Sequence, residues 1–350
     1  MSRFFSKKLA SLTPYTPGEQ PQDKQYVKLN TNESPFLPSE RAQRLAAEAA
    51  AQLQLYPDPT CHILRQKLGE LYGLSADEVV VTNGSDEVLS FAFMAFCDNG
   101  AIFPDITYGF YRVFADLYRI PFEEIPLKSD FTIRVEDYKE RPETIFIANP
   151  NAPTGIPLTV AQIEEILTGN PNRLVVVDEA YVDFGGESCA PLVKKYDNLL
   201  VTGTFSKSRS MAGARLGFGF ACPALIRDLE TLRYSTNPYN INRLTMAAGL
   251  GQLLDEEQTR QNCQTIVDNR DYTTAVLEAM GFSVLPSKAN FVFATHPKIR
   301  GKELYRKLKD RGILVRHFDK ARLTEYNRIT VGSREQMDAL LNAIKEILEE

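Results

Sequence analysis

The chain has 350 residues, 43% of them hydrophobic and 24% charged, with a formal net charge of -5 and a sequence pI of about 5.5. That is the balance of a soluble globular protein with room for two or three domains, or for one large domain and a smaller satellite, and its acidity leaves no footprint for nucleic acid. Five cysteines without a C-x-x-C pair and three scattered histidines argue against a disulfide framework and against a metal site.

Residues 1–35 lack helical or strand periodicity and are rich in turn formers, as in Leu12 to Gly18 and Asn30 to Pro35. Met1 to Ala10 has no apolar core of signal length, and the longest apolar runs elsewhere are strand-sized, so a cytoplasmic protein with no membrane span is expected. Tyr15, Tyr26, Val27, Leu29 and Phe36 are too many large apolar groups to leave in water. This stretch therefore reads as an arm packed on the body or on a partner subunit. Residues 39–54 are alanine- and glutamine-rich and helical, and Leu55 to Thr60 breaks that helix. Cys61, Leu64, Leu68, Leu71 and Tyr72 then form the apolar stripe of another. Val79 to Val81 is a short strand that ends in Thr82-Asn83-Gly84-Ser85-Asp86-Glu87, ahead of an apolar helix from Val88 to Phe96. Such a junction suits an anion, because the first N–H groups of a helix have no intrahelical partners; it also suits an ordinary cap by Asn83 or Ser85.

From there strands and helices alternate. Ala101 to Phe103 is a strand, followed by Tyr108-Gly109 and an aromatic helix, then a short strand and an excursion over 119–135. Thr144 to Ala148 runs into Asn149-Pro150-Asn151-Ala152-Pro153-Thr154-Gly155, and a helix from about Thr159 leads to Leu174 to Val177. That β-branched run ends in Asp178-Glu179-Ala180-Tyr181, as a buried parallel strand does at its carboxyl end. Residues 198–202 form the next strand and deliver Thr204-Phe205-Ser206-Lys207, and Leu216 to Ala221 is the last of this set. Polar groups thus gather at successive strand ends, the edge where an open α/β sheet binds its ligand. Residues 222–280 read as helices broken at Asn237 to Asn240, with 255–280 suited to bridging two lobes. The tail reads as a compact α+β unit with helices over Gly301 to Asp310 and Arg334 to Leu348. The expected fold is α/β, a large domain with a mostly parallel sheet plus a smaller α+β domain, divided as 1–35, 36–255 and 256–350.

Lys207, flanked by hydroxyls, has the setting of a nucleophile that forms a Schiff base, and Arg215 eight residues on can grip a phosphate with a rigid fork of donors. Taken together, the strand-end groups match a pyridine-ring aldehyde that bears a phosphate. Lys207 would form the imine, and Gly84, Ser85, Ser206 and Arg215 would cradle the anion. Asp178 would face the ring nitrogen, Asn151 or Tyr181 would donate to the phenolic oxygen, and Tyr108 would cover the ring. The rival phosphate motifs, G-x-G-x-x-G after a first strand and G-x-x-x-x-G-K-[ST], are absent.

Pro14 to Gly18, Lys28 to Glu33, Tyr56-Pro57-Asp58, Asn83 to Glu87, Asn149 to Gly155, Asp178 to Tyr181, Thr204 to Lys207, Gly213 to Gly217 and Arg328 to Gly332 form an ordered set. Over essentially the whole chain this set resembles the fold-type I pyridoxal-phosphate enzymes of the class II aminotransferase family, and within them the histidinol-phosphate aminotransferases. The resemblance implies pyridoxal 5'-phosphate as cofactor and a homodimer with shared active sites. The reaction it implies is reversible transamination between L-histidinol phosphate and 2-oxoglutarate, giving imidazole-acetol phosphate and L-glutamate in histidine biosynthesis. It makes Lys207 the imine lysine and proton shuttle, Asp178 the partner of the pyridine nitrogen, Tyr181 the donor to the phenolic oxygen and Tyr108 the stacking ring. Gly84, Ser85, Asp86, Thr204, Ser206 and Arg215 would hold the phosphate, with Tyr56 reaching it from the partner subunit. Arg328 would grip the α-carboxylate of glutamate, and Tyr15, Asn32 and Arg316 would meet the rest of the substrate. An aromatic or broad-range aminotransferase, a phosphothreonine decarboxylase and a non-catalytic regulatory module are the alternatives. Two departures stand out. The family's asparagine before Pro-Thr-Gly, which touches the phenolic oxygen, is Ala152 in this chain, with Asn151 one residue earlier. Arg209, two residues after the lysine, would either add charge near the phosphate or be solvated.

Overall fold

The computed structural model describes residues 2–10 and 12–350; Met1 and Ser11, both in the expected arm, lie outside the described residues. A two-residue strand, β1 (Val27–Lys28), precedes helices α1 (Glu40–Ala50) and α2 (His62–Tyr72). The Ser39 side chain caps α1 by accepting from the Ala42 N–H, and α2 ends at Gly73 in the left-handed conformation, φ +69°. α1 stops short of Gln54 because the Ala51 N–H turns back to the Glu48 carbonyl three residues earlier.

The large sheet is built from β2 (Val79–Thr82), β3 (Ala101–Pro104), β4 (Phe122–Ile125), β5 (Thr144–Ala148), β6 (Val175–Asp178), β7 (Leu199–Thr204) and β8 (Gly217–Ala221). The helices α3 (Ser85–Phe96), α4 (Phe110–Tyr118) and α5 (Val160–Gly169) connect its strands. The spatial order is β2-β8-β7-β6-β5-β3-β4. β8 runs antiparallel to both neighbours and the other pairs are parallel, so the mostly parallel sheet read from the sequence is present. Apolar side chains on both faces bury six of the seven strands completely, as their unbroken Val, Ile and Phe runs require. β4 differs: it is one of the two edge strands, and Glu123 and Glu124 keep it from pairing further. α3 begins at Ser85, earlier than its apolar run suggests, because Asp86 and Glu87 are carboxylates well suited to a first helical turn.

Helices α6 (Pro223–Thr236), α7 (Arg243–Leu253) and α8 (Glu256–Ala279) follow. The last segment folds as β9 (Ser283–Val284), β10 (Phe291–Thr295), α9 (Gly301–Asp310), β11 (Ile313–Leu314), β12 (Arg316–His317), β13 (Tyr326–Thr330) and α10 (Arg334–Glu349). Its antiparallel sheet has the order β12-β13-β10-β9, while β11 pairs in parallel with β1 from the far end of the chain. Two apolar clusters cover the two faces of the large sheet; another packs α8, α9 and α10 on the small one, and Leu29 reaches it from the N-terminal stretch. Among the described residues no helix is long and apolar enough to cross a membrane.

Arg209 neither lies near an anion site nor meets water. It is 1% exposed, with Nη1 3.3 Å from Asp183 Oδ2 and Nη2 3.0 and 3.2 Å from the two Glu256 oxygens. Asp183 sits in the turn after Tyr181 and also accepts the Ser208 hydroxyl, and Glu256 opens α8. One guanidinium thus ties together the turns after β6 and β7 and the helix that enters the small sheet's core. A position two residues past a lysine gives no hint of such partners. Removing one member of a buried ion-pair cluster leaves charge without compensation. Arg209→Met should therefore cost about 3–5 kcal/mol in urea unfolding, and adding Asp183→Asn and Glu256→Gln should restore most of it.

Candidate active site

At the start of α3, Gly84 adopts φ +77° and a Cβ there would lie 2.7 Å from Arg215 Nη2. A Cβ on Gly217, at the start of β8, would overlap the backbone of Gly84 and Ser85. Only two glycines let these segments approach so closely, and the approach brings Arg215 beside the free N–H groups of α3. Arg215 Nη1 lies 3.3 Å from Ser206 Oγ, and the Ser206 hydroxyl lies 3.0 Å from Thr204 Oγ1. Asp86 supports this corner: it accepts the Tyr108 hydroxyl at 2.7 Å and sits 3.3 Å from Arg215 Nη2. Burial, with Asp86 adding to it, raises the Tyr108 pKa well above its ordinary value, so Tyr108 stays a protonated donor. Helix terminus, hydroxyls and guanidinium make a cradle for an anion.

Asp178, at the end of β6, forms the floor of the cavity and is 5% exposed. Both of its side-chain donors are hydroxyls, Thr202 at 3.1 Å and Tyr111 at 3.2 Å. Burial pushes its carboxyl up to about 6; the Thr202 donation opposes the rise and the nearby Asp86 carboxylate adds to it. Next to it, Glu179 faces away from the cavity. Burial pushes it up to about 7 although the Cys189 N–H and the Ser188 hydroxyl both donate at 2.5 Å.

Lys207 lines the same cavity, its Nζ donating to the Thr31 carbonyl at 3.2 Å and lying 5.8 Å from the Tyr181 ring centroid. These groups, with Ser85, Gly213, Ala152 and Ala180, line one cavity of about 460 Å³, ordinary for a small ligand. Gln20, Thr31 and Glu33 close it from the N-terminal stretch. Burial raises the Glu33 carboxyl, but hydrogen bonds from Lys28 and Thr31 outweigh this and leave it below the usual value.

A second cavity of about 430 Å³ shares Thr31, Tyr108, Ala152, Tyr181 and Lys207 with the first and extends it outward. Tyr15, Asn32, Arg316 and Arg328 line it. Tyr15 packs on Phe110 with ring centroids 4.4 Å apart. Arg316 spends its fork on the Thr16 and Pro17 carbonyls at 3.3 Å each. Arg328 donates to the Asn30 carbonyl at 3.1 Å, its Nε has no partner, and burial lowers its pKa. Donors left over beside a cavity suit a carboxylate or a phosphate.

One expected site residue is turned away from the cavity, and two others have their partners fixed by the fold. Asn151 faces away from the cavity: its amide donates to the Ile106 carbonyl and Thr154 Oγ1, and its oxygen accepts from Thr107. No capacity remains for a cofactor oxygen, and the lining residue is Ala152. Tyr56 does not line its own chain's cavity; it is 77% exposed and stacked on Tyr239. Asn32 reaches the outer cavity but commits its amide to the Tyr181 hydroxyl at 3.0 Å. The donors to Asp178, Thr202 and Tyr111, were not singled out in the sequence. A threonine inside an apolar strand and one tyrosine in an aromatic helix carry no sign of their partner. Glu33 and Thr31 stood in a quoted motif without a role.

The donor set fits pyridoxal phosphate on structural grounds. A buried carboxylate whose side-chain donors are hydroxyls suits a cationic ring nitrogen, and an anion cradle and a lysine amine line the same cavity.

Residues 24–344 match the family model for class I and II aminotransferases. The chain is 47% identical over 352 residues to a histidinol-phosphate aminotransferase of Brachyspira hyodysenteriae, covering 99% of each chain. It is 49% identical over 353 residues to one from a Marinomonas species, covering 99% of this chain and 100% of the other. The fold superposes with a TM-score of 0.89 on the histidinol-phosphate aminotransferase of Sinorhizobium meliloti solved in complex with pyridoxal-5'-phosphate. That likeness is at 23% identity and covers 100% of this chain and 98% of the other.

Glu179 makes stability depend on pH. Its folded pKa of about 7 lies above the ordinary carboxyl value of 4.5, so the native state holds the proton longer and stability falls as pH rises between those values. In the cofactor-free protein, Glu179→Gln should flatten that fall. Measured by urea unfolding, the variant should gain about 1–3 kcal/mol on wild type between pH 5 and pH 8.

Proposed function

The chain belongs to the class I and II aminotransferases and, within them, to the histidinol-phosphate aminotransferases, and from that premise we infer that it moves the amino group of L-histidinol phosphate to 2-oxoglutarate. The products are imidazole-acetol phosphate and L-glutamate, and the cofactor is pyridoxal 5'-phosphate. The observation that carries this reading is a single cavity lined by the Lys207 amine, the hydroxyl-held Asp178 and the Arg215 cradle.

Pyridoxal phosphate supplies an aldehyde carbon that takes up the amino group and a ring that accepts the electron pair left at the substrate's Cα. Lys207 Nζ would hold that carbon, and as a free amine it would be the base that takes the substrate's Cα proton. Asp178 keeps a proton on the ring nitrogen, where its own burial makes a cationic partner favourable. Tyr181 donates to the phenolic oxygen and Tyr108 covers the ring face. The N–H of Ser85, the hydroxyls of Thr204 and Ser206, and Arg215 hold the cofactor's phosphate. Arg316 and Arg328 meet the substrate's phosphate in one half-reaction and carboxylates in the other, since a guanidinium fork accepts either.

The working form is a cytoplasmic homodimer in which Tyr56 reaches the partner's cradle. Its support is an exposed apolar face on which Leu53, Leu55, Tyr56 and Ile63 are each more than half exposed, next to a groove of about 340 Å³ between α1, α2 and α7. Sedimentation should show a dimer at assay concentration; a fully active monomer would overturn this assembly.

Substrate choice is tested by kcat/KM for histidinol phosphate, phenylalanine and phosphothreonine, with glutamate and carbon dioxide both followed. Histidinol phosphate should lead by at least about tenfold, because a site with charged donors loses a few kcal/mol when one is left unpaired. A flat profile or carbon dioxide release would overturn the substrate while sparing the cofactor. Asp178→Asn, which removes the charge at the ring nitrogen, should lower kcat by about 10²–10³-fold.

A further inference from the structure

Tyr181 lines the inner cavity together with Asp178, Lys207, Ala152 and Ala180 and brings a neutral O–H to it. Where the Tyr181 proton points therefore matters. The hydroxyl accepts the Asn32 amide at 3.0 Å. Asn32 is 1% exposed and held at φ +55°, a left-handed conformation that asparagine tolerates. Its backbone N–H donates to Thr330 Oγ1 at 3.0 Å, and the Thr330 hydroxyl donates to Asn32 Oδ1 at 3.0 Å. Asn290 Nδ2 donates to the Asn32 carbonyl at 3.0 Å.

These bonds have one consistent direction. Thr330 gives its single proton to Oδ1, which fixes the amide so that Nδ2 faces Tyr181. Tyr181 Oη is then an acceptor on that side, and its own proton is left for the cavity. Among the described residues no protein acceptor takes that proton. We propose that Asn32 is a positioning residue that sets the direction of the Tyr181 proton, so that one hydroxyl serves as a committed donor to the phenolic oxygen of the cofactor. Asn32 thus acts through Tyr181 and not on the substrate. The chain of donors begins at Thr330 on β13, so the second sheet helps to set a donor that lies over the first.

The proposal rests on pyridoxal phosphate occupying this cavity, and the readout is the pH midpoint of the visible absorbance of the loaded, substrate-free protein. A proton donated to the phenolic oxygen stabilises the form that has lost a proton from the neighbouring nitrogen, because that form places negative charge on the oxygen. Losing the donation raises the midpoint. Lys207, Arg328 and Asp178 also face Tyr181 in this cleft, and the variants leave them unchanged. Asn32→Gly keeps the charge and the left-handed backbone and removes only the amide.

Asn32→Gly should raise the midpoint by about half a pH unit, and Tyr181→Phe by about one unit or more. The double variant should match Tyr181→Phe alone, as expected when one residue acts through the other. KM for glutamate should stay within about threefold while kcat falls. Thr330→Val, which frees the amide to turn, should move the midpoint in the same direction, and it serves as the test if Asn32→Gly fails to fold. An unmoved midpoint with a raised KM would make Asn32 a substrate contact and overturn the proposal, as would additive shifts in the double variant. If the wild-type protein shows no visible band with pyridoxal phosphate, the functional reading falls, and this proposal with it. A normal band that titrates alike in wild type and in the Asn32 and Thr330 variants overturns the proposal alone.

Discussion

A carboxylate buried at the carboxyl end of a central strand, with hydroxyls as its only side-chain donors, is the constraint around which this molecule is arranged. Burying the Asp178 charge is costly, and donations from Thr202 and Tyr111 offset only part of that cost. The donors come from two elements: Thr202 lies opposite Asp178 on the neighbouring β7, and Tyr111 lies in the first turn of α4. The sheet order that places β6 in the middle therefore also supplies the groups that make its terminal carboxylate tolerable. What remains unbalanced is a negative site that favours a cation from outside the protein.

The opposite end of the cavity depends on a strand that runs the other way. β8 is antiparallel between β2 and β7, so its first residue lies level with the ends of those strands. Gly217 therefore meets Gly84 backbone to backbone, and Arg215, two residues before β8, emerges beside the N-terminus of α3. A purely parallel sheet would bring the loop before β8 to the far edge and separate the guanidinium from the helix. The antiparallel strand is thus part of the anion cradle as well as of the core.

Much of this was readable in the sequence because the driving physics is local. Unbroken β-branched runs mark strands buried on both faces, and polar residues around their ends mark the binding edge, so Lys207, Asp178, Tyr181 and Arg215 were singled out as a set, and all four line the inner cavity. The exceptions share a different cause. Arg209 follows the lysine closely in sequence, but its partners Asp183 and Glu256 come from two other segments that only the folded chain brings together. Asn151 is polar and correctly placed in its motif, yet Ile106, Thr107 and Thr154 use its full bonding capacity. Asn32 has no cue to its role in one dimension; its neighbours Tyr181 and Thr330 are distant in sequence and adjacent only in the fold. Hydrophobic pattern reports which backbone is buried, and it carries no information on how a buried polar side chain spends its donors and acceptors.

The second sheet answers the buried carboxylate with the opposite imbalance. Arg316 and Arg328 occupy directly paired positions on β12 and β13, where like charges repel. Both guanidiniums lie over the Phe318 ring, 5.5 and 5.7 Å from its centroid, and backbone carbonyls of residues 16, 17 and 30 accept from them. Those contacts lessen the repulsion without supplying a counter-charge, and burial lowers the pKa of Arg328 as the same imbalance requires. A protein that holds an unmatched anion at one end of a cleft and two crowded cations at the other is electrostatically incomplete by itself. Only a ligand set that is cationic near Asp178 and anionic near Arg215, Arg316 and Arg328 completes it, and that pattern is the physical content of the site's specificity.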